Sequence, residues 1–493
     1  MSIPMRSTCV LAWLLLSSSV AAADEPDLAT RMRELEQQMQ QLKAQLATVQ
    51  ATQSSWALPP ADAGAPFAWG DFTWLNGSSR QTTRLLDTKY FTPQLDVDVN
   101  YTYSFNHPID HTVVGSTALA RDNEVELAFI GLGGDVHAGN VRARLLLQYG
   151  TRTTVVPRND GSLLRGQFDL ATAYRFISEG YVGYHLDWLH GVNVDAGIFM
   201  SYVGLFSYDN FENWAYQPSF TSDNTPWFFN GVRIQLFPTD RFKVELWIVN
   251  GWQSYGKLNE LPGAGFQVRY APREWLNVVS NGYVGTDVQD HPGRVRFHSD
   301  TSVLVRYYNH PERRGLSRAA FSATFDLGFE QGDGVAAFSG SGVEGSCTRA
   351  TPCEQDFVSG MIYNRLWFWR NKLGWTAGGG FIHNPGRYLV LVPTGVAGQL
   401  FDASPGTKFD GWDLSTTFDW MPAENITFRL ELVHREASIP YFAGAGGVTG
   451  PDGYKAGGLA NPDGLIYTNV PPGWTPDQVK QETRLIGAVI FRI

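Results

Sequence analysis

The chain has 493 residues, 43% of them hydrophobic and 13% aromatic, and a formal net charge of -10. That acidity argues against a nucleic-acid partner, which calls for a basic face, and a mean hydropathy of -0.19 is too low for a helical membrane protein. Past residue 23 no stretch approaches the ~20 consecutive apolar residues of a spanning helix, although the aromatic content is unusually high.

Residues 1–23 read as a secretory signal peptide: Arg6 supplies the positive start, Val10 to Leu16 the apolar core, and Ala21 and Ala23 the small residues before a cut near Asp24. Cys9 leaves with it, so Cys347 and Cys353 remain. Two readings stay open for them, a disulfide that clips one polar loop in an oxidising compartment and a reduced pair. Zinc would need further Cys or His nearby. Residues 24–56 are expected to form a periplasmic coiled-coil helix. Leu28, Met32, Leu35, Met39, Leu42, Leu46 and Val49 alternate spacings of four and three, the seam that joins helices of separate protomers. The other reading is a single amphipathic helix packed on its own barrel or lying on a surface. Residues 57–87 are a Pro- and Ala-rich linker and lead-in, stiff enough to act as a spacer.

From residue 88 to 493 the chain alternates apolar and polar residues in short runs. Val141, Ala143, Leu145, Leu147 and Tyr149 fall on one face of a strand, and Arg142, Arg144 and Gln148 on the other. One face suits lipid and the other water. The pattern predicts sixteen strands over 88–105, 124–136, 141–149, 174–188, 191–200, 226–237, 241–251, 263–271, 275–285, 298–308, 318–330, 357–369, 372–383, 410–421, 424–435 and 481–493. Short connections such as 137–140, 189–190, 238–241, 271–274, 370–371 and 421–424 alternate with long polar ones. Tight turns on one side and long loops on the other predict an all-β fold, an antiparallel transmembrane β-barrel in a Gram-negative-type outer membrane, with the turns in the periplasm. The last strand alternates Leu485, Gly487, Val489, Phe491 and Ile493 outward and ends on Ile where such barrels commonly carry an aromatic residue.

The hairpin Trp227 to Trp252, with Gly231-Val232 going out and Val249-Asn250-Gly251-Trp252 returning, and Arg429-Leu430-Glu431 followed by Pro440-Tyr441-Phe442, resemble the OmpL-like putative β-barrel porin family, putative β-barrel porin 2. The resemblance runs from about residue 90 to the end. It implies an outer-membrane channel without catalytic residues or a defined substrate. The heptad segment is similar to N-terminal coiled coils of some phosphate-selective and carboxylate-type porins, which implies a homo-oligomer, a trimer on that pattern.

For a pore the chemistry lies on the lumen wall. The alternation turns inward Glu124, Glu126, Arg142, Arg144, His185, Asp187, Asp195, Arg233, Gln235, Lys243, Glu245, Gln267, Arg269, Arg306, Asp326, Asp413, Asp419, Arg429 and Glu431. Opposed charges of this kind set a transverse field, while any single one also reads as a solvated or paired wall residue. Residues 202–227 stand out for their aromatic content. Tyr208, Phe211, Trp214 and Tyr216, interleaved with Asp209 and Glu212, suit either a constriction folded into the lumen, with faces for ring-bearing solutes, or a loop packed on the rim. The Gly-, Pro- and Asp-rich segment 436–480 reads mainly as turns.

Gly131-Leu132-Gly133-Gly134 falls inside a strand with no helix after it, so it is no phosphate cradle, and no nucleophile elbow or zinc-protease motif occurs. No enzyme activity, cofactor or metal is expected. The expected function is passive diffusion of small hydrophilic solutes or ions through an aqueous lumen in the outer-membrane bilayer. The alternative is a plugged barrel whose outer loops bind a partner.

Overall fold

The computed structural model describes residues 36–41, 43, 86, 88–157, 160, 162, 166–342, 347–386, 388, 408–453 and 474–493. The signal peptide, nearly all of the linker and most of the heptad seam lie outside them; of the seam, Met39 is described, helical and exposed. The chain divides into two units, residues 1–58 and 59–493.

Sixteen strands of the second unit close into one barrel. In chain order they are β1 Phe91–Ser104, β2 Val125–Ala138, β3 Val141–Tyr149, β4 Ile177–Leu186, β5 Val192–Met200, β6 Phe228–Thr239, β7 Phe242–Val249, β8 Gly263–Arg273, β9 Leu276–Gly285, β10 Val295–Asn309, β11 Leu316–Gln331, β12 Asp356–Phe368, β13 Leu373–Asn384, β14 Phe409–Ala423, β15 Ile426–Ala437 and β16 Gln481–Arg492. Each pairs antiparallel with its neighbours in sequence. Closure comes from β1 against β16, with Asp96 opposite Arg492 and Ser104 opposite Arg484. A closed sheet leaves no unpaired edge, the condition for strands to cross lipid. The predicted strands agree with these to within a few residues at either end.

The seven connections at one rim, 139–140, 187–191, 240–241, 274–275, 310–315, 369–372 and 424–425, are short, and the eight at the other run from nine residues (286–294) to the long segment 438–480. The start of β1 and the end of β16 both lie at the short-turn rim, as an even strand count requires.

Side-chain direction follows the period of two. Leu145, Leu246, Ile248, Phe325, Leu414 and Leu430 are exposed on the outer face, which is the lipid-facing surface. Large aromatic residues crowd both ends of that surface. Trp188, Trp275, Trp369 and Trp420 lie at or beside the short turns, and Tyr101, Tyr149, Phe176, Phe297 and Trp412 lie toward the long loops. Rings with an apolar body and a polar tip settle at both membrane interfaces. One irregularity matters inside. The β1–β2 register shifts between Asp98 and Val99, and the bulge brings Phe129 inward, edge-on to Tyr208 at 5.8 Å between ring centroids.

The disulfide Cys347–Cys353, with Cα atoms 5.2 Å apart, lies in the loop between β11 and β12. There Val335 and Ala336 pair in parallel with Cys353 and Glu354.

Candidate functional site: the lumen and the loop that crosses it

The lumen wall is the other half of the alternation. On β1 the residues Gln94, Asp96, Asp98, Asn100 and Thr102 are buried, while Val97 and Val99 between them face out. Charged wall residues meet opposite charges along the same strand, on the adjacent strand, where a cross-strand pair holds its Cβ atoms about 5 Å apart, or one strand further on. Arg233 on β6 reaches Asp195 on β5 at 2.7 Å, and Arg142 on β3 reaches the same carboxylate at 3.2 Å. Arg144 contacts Glu179 and lies 3.0 Å from Asp135. Lys243 and Glu245, two residues apart on β7, meet at 2.7 Å. Arg269 stands opposite Lys243 on β8 and donates to Asn277 at 3.2 Å. Arg429 and Arg365 converge from β15 and β12 on Asp419, each at 2.7 Å. A buried ion pair contributes little net stability, but removing one partner strands the other at a cost of about 3–5 kcal/mol. The pattern fixes the geometry of the wall.

The third long loop, 201–227, passes inside the barrel, every residue of it buried or half-buried. It leaves β5 along the β8–β9 wall, where Tyr202 donates to the Gly282 carbonyl at 3.1 Å and its own carbonyl accepts from Gln267 at 2.9 Å. The Tyr202 ring stacks on Trp247 at 4.7 Å between centroids. A Cβ at Gly265 would collide with the Tyr202 hydroxyl, so this approach needs glycine. Beyond that the loop reaches the opposite wall. Asn210 donates to Asp98 at 3.0 Å, and the backbone N–H groups of Tyr216 and Gln217 donate to the Glu431 carboxylate at 2.6 and 2.9 Å. Ser219 and the Phe220 N–H donate to Asp413 at 2.8 and 2.9 Å. Arg435 holds Asp223 at 2.8 Å. At its deepest, Glu212 and Asp209 meet Arg492 at 2.5 and 3.2 Å. Arg492 closes β16 at the short-turn rim, so the loop descends most of the barrel's depth.

Tyr216 sits at the centre of this arrangement. Its hydroxyl donates to Asp98 at 2.9 Å and accepts from Asn100 at 3.0 Å. Burial pushes the phenol well above its ordinary value, so it stays protonated and keeps its donor. Arg152, from the second long loop, contacts the Tyr208 carbonyl and lies over the Tyr208 ring at 5.0 Å. Beneath the loop tip a cavity of about 350 Å³ is lined by Gln94, Asp135, Arg144, Glu179, Ser207, Asp209, Glu212 and Arg492, with Phe129, Leu146, Tyr181 and Tyr208 among its apolar walls.

The sequence-derived wall residues are thus distributed unevenly. Arg142, Arg144, Asp195, Arg233, Lys243, Glu245, Arg269, Arg429 and Glu431 sit on the lumen wall, as do Gln235, Gln267, Arg306, Asp326, Asp413 and Asp419. Glu126 faces inward but is taken up by loops, accepting from the Ala120 and Arg121 N–H groups at 3.3 and 3.1 Å and contacting Thr151. Glu124 is a correction. It precedes β2 and pairs with Arg121 at 2.7 Å in the first long loop, and its hydrogen bond from that guanidinium holds its carboxyl below the usual range. Asp187 is a second correction, since it lies in the short turn after β4, exposed and 3.3 Å from His185. In the third loop, Tyr208, Phe211 and Tyr216 are buried, and Trp214 packs edge-on against Trp367 at 5.7 Å. Tyr208 lies edge-on to Phe129 and also lines the cavity beneath the loop tip, and Trp214 is half-buried.

Missed in the sequence were Asp96, Asp98, Glu179, Asp300, Arg365, Arg435, Arg484 and Arg492. Asp96-Val97-Asp98-Val99-Asn100 carries the same alternation and marked them, as Arg492 after Phe491 did at the far end. Among the described residues no group of three or more His, Cys, Asp or Glu side chains converges as a metal centre.

Set beside known proteins, residues 91–454 match the model of the family described as putative beta-barrel porin-2, OmpL-like. Among solved structures, OmpT from the outer membrane of Vibrio cholerae is similar at 9% identity and a TM-score of 0.44, over 83% of this chain and 99% of that one. The outer membrane channel DcaP of Acinetobacter baumannii gives 9% identity and a TM-score of 0.44 over 82% and 99%. The anion-selective porin from Comamonas acidovorans gives 10% identity and a TM-score of 0.46 over 82% and 99%. No curated protein matches the chain.

Proposed function

This chain belongs to the putative beta-barrel porin-2, OmpL-like family, and from that premise we propose that it is an outer-membrane porin that sorts small hydrophilic solutes by size more than by charge. The observation that carries the reading is the third long loop, tied to both sides of the lumen through Gly282, Gln267, Asp98, Glu431, Asp413 and Arg492. It narrows a sixteen-strand lumen, which side chains alone would leave open. Charge sorting is weak because the wall cations Arg144, Arg233, Lys243, Arg365, Arg429 and Arg492 each face a carboxylate. Opposed charges placed this close leave little net field of one sign for an ion to feel. No step of catalysis belongs to this account.

Residues 24–56 act, on this proposal, as a periplasmic coiled coil that joins protomers through Leu28, Met32, Leu35, Met39, Leu42, Leu46 and Val49. The heptad spacing supports it.

Swelling of liposomes loaded with the mature protein tests the size rule. Small sugars should enter, with a steep fall in rate as sugar size rises, and charged and neutral solutes of equal size should enter at similar rates. The depth to which the loop penetrates favours a second reading, a plugged barrel that serves as a surface-binding protein. Liposomes that fail to swell with any solute, around a correctly folded barrel, would select it.

A further inference from the structure

On the wall behind the third long loop, one register row runs across four strands. Asn281 on β9 stands opposite Asp300 on β10, Asp300 opposite Asp326 on β11, and Asp326 opposite Ser359 on β12. All four side chains face inward, and all are 0% exposed. Two carboxylates directly opposite each other repel, and out of water that repulsion is larger.

Elsewhere on the wall such carboxylates are answered. Asp419 has Arg365 and Arg429, Asp195 has Arg233, and Glu431 has two backbone N–H groups. Here the answer is incomplete. Asp300 accepts from Asn281 at 2.8 Å and from the Gly204 backbone, which uses one of its oxygens. Its Oδ2, both oxygens of Asp326 and the Ser359 hydroxyl have no hydrogen-bond partner. His298, one step up β10, brings Nε2 to 2.8 Å from Asp326 Oδ1 but without hydrogen-bond alignment, its ring lying against Trp252 and Phe357 at 4.6 and 5.7 Å between centroids. Asn281 is committed, since its carbonyl accepts from Gln267 at 3.0 Å.

We propose that Asp300, Asp326 and Ser359 hold a divalent cation of the calcium class between the third loop and the β10–β12 wall. Beside the His298 ring, the unpartnered atoms of Asp300, Asp326 and Ser359 are hard oxygens, the ligands that calcium takes in flexible, partly hydrated shells. Two carboxylates supply the charge that one divalent ion neutralises. With Gly204 bonded to Asp300, the ion would fasten the start of the loop to the wall opposite Arg492 and Glu431. The set is small and leaves several positions to water, which suits an exchangeable ion.

The test is equilibrium dialysis of the refolded full-length mature barrel against radiolabelled calcium, paired with thermal unfolding in calcium and in chelator. The expected result is uptake of one calcium per chain and an unfolding midpoint about 3 °C or more higher with calcium. Asp300→Asn and Asp326→Asn should each lose both effects, and His298→Gln should keep them. Should an Asn variant fail to refold, Ser359→Ala removes one ligand oxygen without touching charge and should weaken uptake severalfold. Wild-type protein that takes up no calcium would overturn the proposal. Uptake that survives in both Asn variants, or is unchanged in Ser359→Ala, would overturn it equally.

Discussion

A single phenol, Tyr216, holds two residues of β1 while its backbone N–H is held by Glu431 on β15, so the loop is pinned at one point to two strands. Removing the hydroxyl leaves Asp98 and Asn100 each short of a buried partner, and the cost of such orphans is about 1–3 kcal/mol. Tyr216→Phe should therefore lower stability by that amount in urea unfolding from vesicles, with the barrel still folded; an unchanged midpoint would mean the loop does not depend on this contact. Arg492 acts at the deepest point. It is the shared partner of Asp209, Glu212 and Asp96, so Arg492→Gln leaves three carboxylates without that guanidinium and should free the loop tip. The expected readout is larger and noisier single-channel current, and a current identical to wild type would show that the tip is held by other bonds. At this scale the sequence was half legible. Arg429 and Glu431 could be assigned to the wall from alternation alone, because a strand's period reports direction without any tertiary information. Their partners could not, since the third loop brings Tyr216 and Asn213 to them from more than 200 residues away.

The strands were the most readable elements. Sixteen runs and their boundaries follow from a period of two and from turn residues, and closure leaves little freedom in their order. The loops were not readable in the same way. The aromatic richness of 202–227 marks a segment that must be buried, but burial in the lumen, on the rim or against lipid leaves the same composition. The glycines that let it in, such as Gly265 beneath Tyr202, look in sequence like ordinary strand interruptions. Glu124 shows a smaller failure at a strand end, where the alternation that places Glu126 inward was carried one period too far. Residues 24–56 carry the heptad spacing on which the proposed coiled coil rests. Deleting Leu28 to Val49 should lower the oligomer mass measured by light scattering in detergent while leaving the barrel folded, since about three heptads are marginal without a partner. An unchanged mass would remove the coiled coil from the account.

For the whole molecule, a closed barrel with an apolar outer face and aromatic belts at both rims, turns on one side and long loops on the other, satisfies the physical conditions for an outer-membrane protein, and the family to which the chain belongs makes it a porin. Much chain lies inside this barrel. The first loop contributes the Gly115 carbonyl as an acceptor for Arg435, the second brings Arg152 over Tyr208, and the third crosses from wall to wall. The channel that remains must be narrow, and its charges are largely matched in pairs. Single-channel recording of the refolded mature protein in planar bilayers, with a salt gradient across the membrane, tests this most directly. Small, stable conductance steps with a reversal potential close to zero are expected. A folded barrel that never conducts, or one whose reversal potential approaches that of a strictly cation- or anion-selective pore, would contradict this reading.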